Sequence, residues 1–268
     1  MRKLRDYEPF LTPLLKFIAP NAKVTSDPGL SEILKDEKKM VIAFNHAAPL
    51  SWAPAVSLLT REVVEQGGGD RLPRGIMDQF FFQFPPLRPL AKWIAQSNEF
   101  LSFDELVEDF ENADQADLVV FPEGSNCFFG PSDEIQKFRS PKFIEIAVRA
   151  DAPILIAVHA GSESWGQTFK FPPALSAIIP FLPSFAQKGI ASNGLVNIPM
   201  LPKPIEDFRM HCEIYRPKLK ARELSKDQFE RREQLLEEAA HIHHLMETIL
   251  ENLRAEALRE QQAKLDSL

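Results

Sequence analysis

The chain has 268 residues, 44% of them hydrophobic, and a formal net charge of −7. That length and apolar share suit one α/β domain with a sizeable core, and the acidic balance excludes a dedicated nucleic-acid binder, whose phosphate contacts need a basic face. The two cysteines, Cys127 and Cys212, cannot build a disulfide framework and point to a reduced, cytoplasmic setting.

In chain order, the N-terminus opens Met-Arg-Lys-Leu-Arg-Asp, and Asp6, Glu8 and Pro9 interrupt it before an apolar signal core develops. Residues 1–38 read as a helical, membrane-proximal segment. Residues 39–44 are a short apolar run of buried-strand type, followed by Asn45-His46-Ala47-Ala48-Pro49-Leu50-Ser51. Residues 51–66 then read as a helix that Gly67, Gly68 and Gly69 end. Over residues 103–112, Phe103, Leu106, Val107 and Phe110 share one helical face. Residues 116–121 form a second buried strand, and Pro122-Glu123-Gly124-Ser125-Asn126-Cys127 follow it. A helix over 138–149 points Phe143, Ile146 and Ala147 inward, and residues 152–158 make a third strand. Residues 194–200 and 210–215 read as further strands, placed at edges by nearby prolines. From 225 to 262 a long charged helix lines up Phe229, Leu235, Leu236, Ala239, Ile242, Leu245, Met246, Ile249 and Leu253, with its last turns fraying.

This alternation predicts an α/β fold, a mixed and largely parallel sheet flanked by helices, over residues 39–220, with a C-terminal helix over 221–268 packed on or extending from it. A histidine after one buried strand and a Pro-Glu-Gly turn after another place a general base and a substrate-holding carboxylate on the same sheet edge.

Composition adds a second theme. Twenty-one Phe against 2 Tyr and 3 Trp favours the aromatic ring without a polar handle. Residues 80–94 mix Phe80, Phe81, Phe82, Phe84 and Trp93 with Arg88 and Lys92, and residues 169–185 mix Phe, Ile, Leu and Pro. Both segments fit either ordinary core or a lipid-facing surface or acyl-chain tunnel. Neither spans a bilayer: Pro172, Pro173, Pro180 and Pro183 break the longest apolar stretch, which cannot give the roughly 20 residues of regular helix required.

Asn45-His46, Phe121-Pro122-Glu123-Gly124-Ser125, Lys137-Phe138 and Pro153-Ile154-Leu155-Ile156-Ala157-Val158 stand in that order, and together they resemble the glycerophospholipid (lysophospholipid) acyltransferase superfamily, which includes the 1-acylglycerol-3-phosphate acyltransferases. The resemblance covers residues 40–220. It implies transfer of a fatty acyl group from acyl-CoA or acyl-carrier protein, as co-substrate, to a lipid-like hydroxyl or amine. His46 would be the base for the acceptor, since an imidazole with a pKa of about 6.5 is largely neutral at pH 7. Glu123 would hold acceptor hydroxyls, Asn45, Gly124 and Ser125 would line the substrate, and amides after Gly124 would face an oxyanion or phosphate. The resemblance implies no metal and no other cofactor, a peripheral place on the cytoplasmic face of a membrane, and a part in lipid biosynthesis.

The departures bear on function. Ser51 stands where the family carries an Asp, four residues separating it from His46. A hydroxyl accepts the same hydrogen bond but brings no charge to an imidazolium, and in an analogous triad losing that charge costs about four orders of magnitude. Asp78, or another carboxylate from the loop, is a candidate replacement. Asn126 stands in place of a phosphate-binding Arg, which favours a neutral or differently charged acceptor unless Arg139, Lys137 or Lys142 compensates. Asn98 likewise stands where many members have a further substrate Arg.

Three other features invite chemistry. His241, His243 and His244 lie on the long helix at spacings that do not converge on a metal. Cys127 is a conceivable acyl carrier or a bystander thiol. Glu230-Arg231-Arg232-Glu233 is a charged helix face. Two functional classes follow: an acyltransferase using His46, and a catalytically weak or inactive lipid-binding relative of the same fold.

Overall fold

The computed structural model describes residues 1–267. In chain order the elements are α1 (Glu8–Ile18), β1 (Lys23–Asp27), α2 (Leu30–Asp36), β2 (Lys39–Phe44), α3 (Trp52–Val63), β3 (Leu72–Gly75), α4 (Gln79–Gln83), α5 (Arg88–Ala95), α6 (Phe103–Asn112), β4 (Ala116–Val120), α7 (Lys142–Arg149), β5 (Ile154–Ala160), β6 (Gly166–Lys170), α8 (Ser184–Asn193), β7 (Leu195–Pro199), β8 (Arg209–Tyr215) and α9 (Gln228–Asp266).

Six strands form one mixed sheet in the order β1-β8-β5-β2-β4-β3. β2 pairs in parallel with both β4 and β5, and β3 with β4. β8 runs antiparallel to β5, and β1 parallel to β8. Helices cover both faces, which is why the central strands are continuous apolar runs: every residue of β5 is buried. Period-2 alternation sorts their side chains. Val41, Ala43, Leu118, Ile154 and Ile156 join the core with α6, α7 and α9. Met40, Ile42, Phe44, Leu155 and Ala157 join the opposite core with α1, α2 and α3.

Some elements differ from the sequence reading. β8 is interior rather than an edge, because its prolines lie outside the strand and it pairs on both sides. The edges are β1, with alternating exposure, and β3, where Pro73 needs no ladder donor on its outer side. β7 leaves the main sheet and pairs antiparallel with β6 in a separate two-stranded sheet. The helix expected from residue 138 begins at Lys142, since Pro141 disfavours helical backbone at Ser140 and Arg139 donates its amide to Pro122 O at 2.8 Å.

α9 starts where the Asp227 carboxylate accepts from the amides of Phe229 and Glu230. It remains helical to Asp266; its far half is held to the sheet by Glu260, which pairs with Arg209 and Lys23. Phe229, expected on the packed side, is 73% exposed. Among the described residues no helix is long and apolar enough to cross a membrane.

Candidate functional site

The parallel strands β4, β2 and β5 are neighbours, so their C-terminal ends lie on one edge. From β2 the chain builds β3 and β4 on one side and then β5 on the other, and such a switch point opens a crevice beyond the strand ends. Asn45 and His46 follow β2, Glu123 follows β4, and His159 is next to last in β5.

Glu123 is fully buried. Its Oε1 accepts from the His46 amide at 2.5 Å and its Oε2 from the Gln136 amide at 2.6 Å. The carboxyl thus faces backbone rather than solvent. Burial pushes its pKa up to about 8, against the two amide donors that favour the charged form.

His46 as a residue keeps some exposure, but its imidazole is largely enclosed. It lies on Phe121 with ring centroids 4.4 Å apart, and Phe121 stacks in turn on Phe44 at 5.2 Å. Its Nδ1 is buried with no hydrogen-bond partner. Burial, and then repulsion from His159, lower its pKa to about 3, while a backbone interaction with Ala48 works the other way. Neutral imidazole is therefore the resting state, at the cost of basicity.

The residues weighed as its orienting partner are engaged elsewhere. Ser51 Oγ donates to Ala48 O at 2.7 Å and accepts from the amides of Ala47 and Ala48 at 3.2 and 3.3 Å, so it shapes the loop between β2 and α3. Asp78 pairs with Arg139 Nη1 at 2.5 Å. The Arg139 stem lies over Gly124, where φ is +52° and a Cβ would come within 3.2 Å of Arg139 Cδ. Asn126 donates from Nδ2 to Lys137 O at 2.7 Å, so part of its donor capacity holds the loop. Ser125 is partly exposed in the 3-10 turn Gly124–Phe128.

His159 is a site residue that the sequence reading missed. Its amide donates to Asn45 Oδ1 at 2.8 Å, and Asn45 Nδ2 donates to His159 O at 3.1 Å. Its Nε2 meets Asn45 O at 3.0 Å, which assigns the proton to Nε2 and leaves Nδ1 to accept from Ser162 Oγ at 3.4 Å. Burial lowers its pKa to about 4, opposed by the bond to Asn45. The available signal was a histidine ending an apolar strand, the same one that picked out His46.

Other candidates resolve into packing. Cys127 is buried, and burial followed by the nearby Glu123 pushes its thiol well above the usual range, so it is no ready nucleophile. His241 packs beside Tyr215, and His243 lies between Phe138 and Glu247.

The apolar segments divide. In residues 80–94, Ala91 is buried and Trp93 meets Tyr7 edge-on at 4.8 Å, while Phe84 and Leu90 are exposed. In the 3-10 stretch Pro173–Phe181 no residue is buried, so ordinary core does not describe it. Comparison with models of known protein families, and with curated proteins, gives no significant match.

Proposed function

We propose that this protein is an acyltransferase that moves a fatty acyl group from acyl-CoA or acyl-carrier protein to a lipid-like hydroxyl or amine, at the cytoplasmic face of a membrane, with His46 as general base. The observation that carries the reading is the hydrogen bond of 2.5 Å from the His46 backbone amide to Glu123 Oε1, which holds the loop bearing the His46 imidazole against the Pro-Glu-Gly loop at the edge of parallel strands. In the reaction the imidazole takes the acceptor proton as its oxygen or nitrogen attacks the thioester carbonyl. The tetrahedral intermediate then expels the thiolate, which recovers that proton from the imidazolium. Glu123 holds the two loops in register. Arg139 already carries Asp78 as its counter-charge, which favours an acceptor without a phosphate monoester.

One observation favours the second reading, a weak or inactive lipid-binding relative: Nδ1 of His46 has no hydrogen-bond partner, so an imidazolium formed there has no counter-charge. Free-thiol release from acyl-CoA, measured with lysolipid, glycerol and amine acceptors, decides between them. Turnover above a His46→Ala control supports the enzyme. None above that control leaves the lipid-binding relative.

A further inference from the structure

Between Glu163 and Glu206 the chain has no carboxylate side chain, although its net charge is −7. The same span carries Lys170, Lys188 and Lys203, all exposed and none ion-paired among the described residues. It folds as a lobe of β6, the Pro173–Phe181 stretch, α8 and β7. At its tip, residues 171–183 hold one polar side chain, Ser176, and no charge. Leu175, Ile178 and Phe181 project there, with Phe181 87% exposed, and Leu201 just beyond β7 is 85% exposed.

The backbone of this tip is suited to leaving water. Pro172, Pro173, Pro180 and Pro183 have no N–H to desolvate. Leu175 donates to Pro172 O at 2.9 Å and Leu182 to Ile179 O at 3.0 Å, while Gln187 Nε2 caps Leu182 O at 2.7 Å and Pro180 O at 3.2 Å. An unpaired backbone group entering hydrocarbon is costly, and here several are satisfied internally or removed. An uncharged apolar stretch flanked in sequence by the exposed Lys170 and Lys188, on an otherwise acidic protein, matches an anionic bilayer in both layers, acyl boundary and headgroups.

We infer that residues 172–183 are a membrane-inserting element that docks the protein on an anionic lipid surface. The lobe also braces the site: Asn193 Nδ2 donates to Phe129 O, Asn197 Nδ2 donates to Cys127 O at 3.3 Å, and Phe129 meets Phe185 at 6.3 Å. The docking element is thereby tied to the loop that follows Glu123. The inference deepens the proposed action at a membrane, but it is read out by binding rather than turnover.

The test is flotation of the full chain with phosphatidylcholine vesicles, with and without phosphatidylglycerol, for wild type, His46→Ala and the combined Leu175→Asp, Ile178→Asp, Phe181→Asp variant, each checked by circular dichroism for an unchanged fold. Wild type and His46→Ala are expected to float with the anionic vesicles, and the triple variant to lose partitioning by at least about tenfold. Reversing Lys170 and Lys188 to Glu is expected to weaken only the anionic binding. In a Phe181→Trp variant, emission is expected to shift to the blue on anionic vesicles. Wild type remaining in solution with both vesicles, or the triple variant floating as well as wild type, would overturn the inference. So would a triple variant that only converts an oligomer to monomer, because a second copy would then be what covers the tip. Flotation of an inactive His46→Ala protein separates failure of the catalytic reading from failure of docking.

Discussion

The amide of His46 donates to Glu123 Oε1 at 2.5 Å while the Gln136 amide donates to Oε2, so one buried carboxyl ties the end of β2 to two points on the loop after β4. This makes Glu123 a clasp whose loss is felt in both loops. Glu123→Gln turns an N–H toward an amide donor and leaves that donor unsatisfied, an expected cost of about 1–3 kcal/mol. Urea denaturation checks it; an unchanged midpoint would show that the clasp contributes nothing.

The same cluster fixes the pH dependence of stability. His46 and His159 have folded pKa values lowered to about 3 and about 4, so their contribution is intact above the unfolded value of about 6.5 and is lost as pH falls toward the folded ones. Glu123, raised to about 8, has the opposite sign: its contribution is full below its ordinary value and is lost as pH rises through 8. Two imidazoles outweigh one carboxyl on the acid side, so the cluster's contribution to unfolding free energy is expected to peak near pH 6.5. Urea titrations of Glu123→Gln should lose the decline above that pH, and His159→Gln should flatten the acid limb.

Ser51→Asp tests the missing charge. The new carboxylate keeps the acceptor role toward the Ala47 and Ala48 amides but loses the donor that serves Ala48 O, at an expected cost of about 1–3 kcal/mol in stability. If charge limits turnover, the rate rises and the acid limb of the pH–rate profile moves up as the imidazole pKa recovers. An unchanged rate would mean that His46 is oriented by its packing on Phe121.

The Arg139–Asp78 pair sets acceptor charge. Asp78→Asn releases the guanidinium and is expected to lower KM for acceptors bearing a phosphate monoester while leaving neutral acceptors unchanged. Arg139→Ala in that background should abolish the gain. Steady-state kinetics with paired acceptors reads both.

The central sheet is legible in the sequence because β2, β4 and β5 are covered on both faces and so become uninterrupted apolar runs. β1, Lys-Val-Thr-Ser-Asp, and β3, Leu-Pro-Arg-Gly, carry no such run, because one side of each is an edge. His46 and Glu123 were visible as strand-end residues. His159 offered the same strand-end signal, but its bond to Asn45 did not show, since the two are 114 residues apart and only the β2–β5 pairing brings them together. Nor did the Ser51 position reveal that its hydroxyl closes a turn onto Ala48 rather than facing the imidazole.

The most direct test of the account is acyl transfer itself, followed in a single turnover with labelled acyl-CoA and vesicle-borne hydroxyl and amine acceptors. Wild type is expected to give labelled acyl-acceptor at a rate at least about tenfold above His46→Ala. Equal product from the two proteins, or none from either, would contradict His46 as the base.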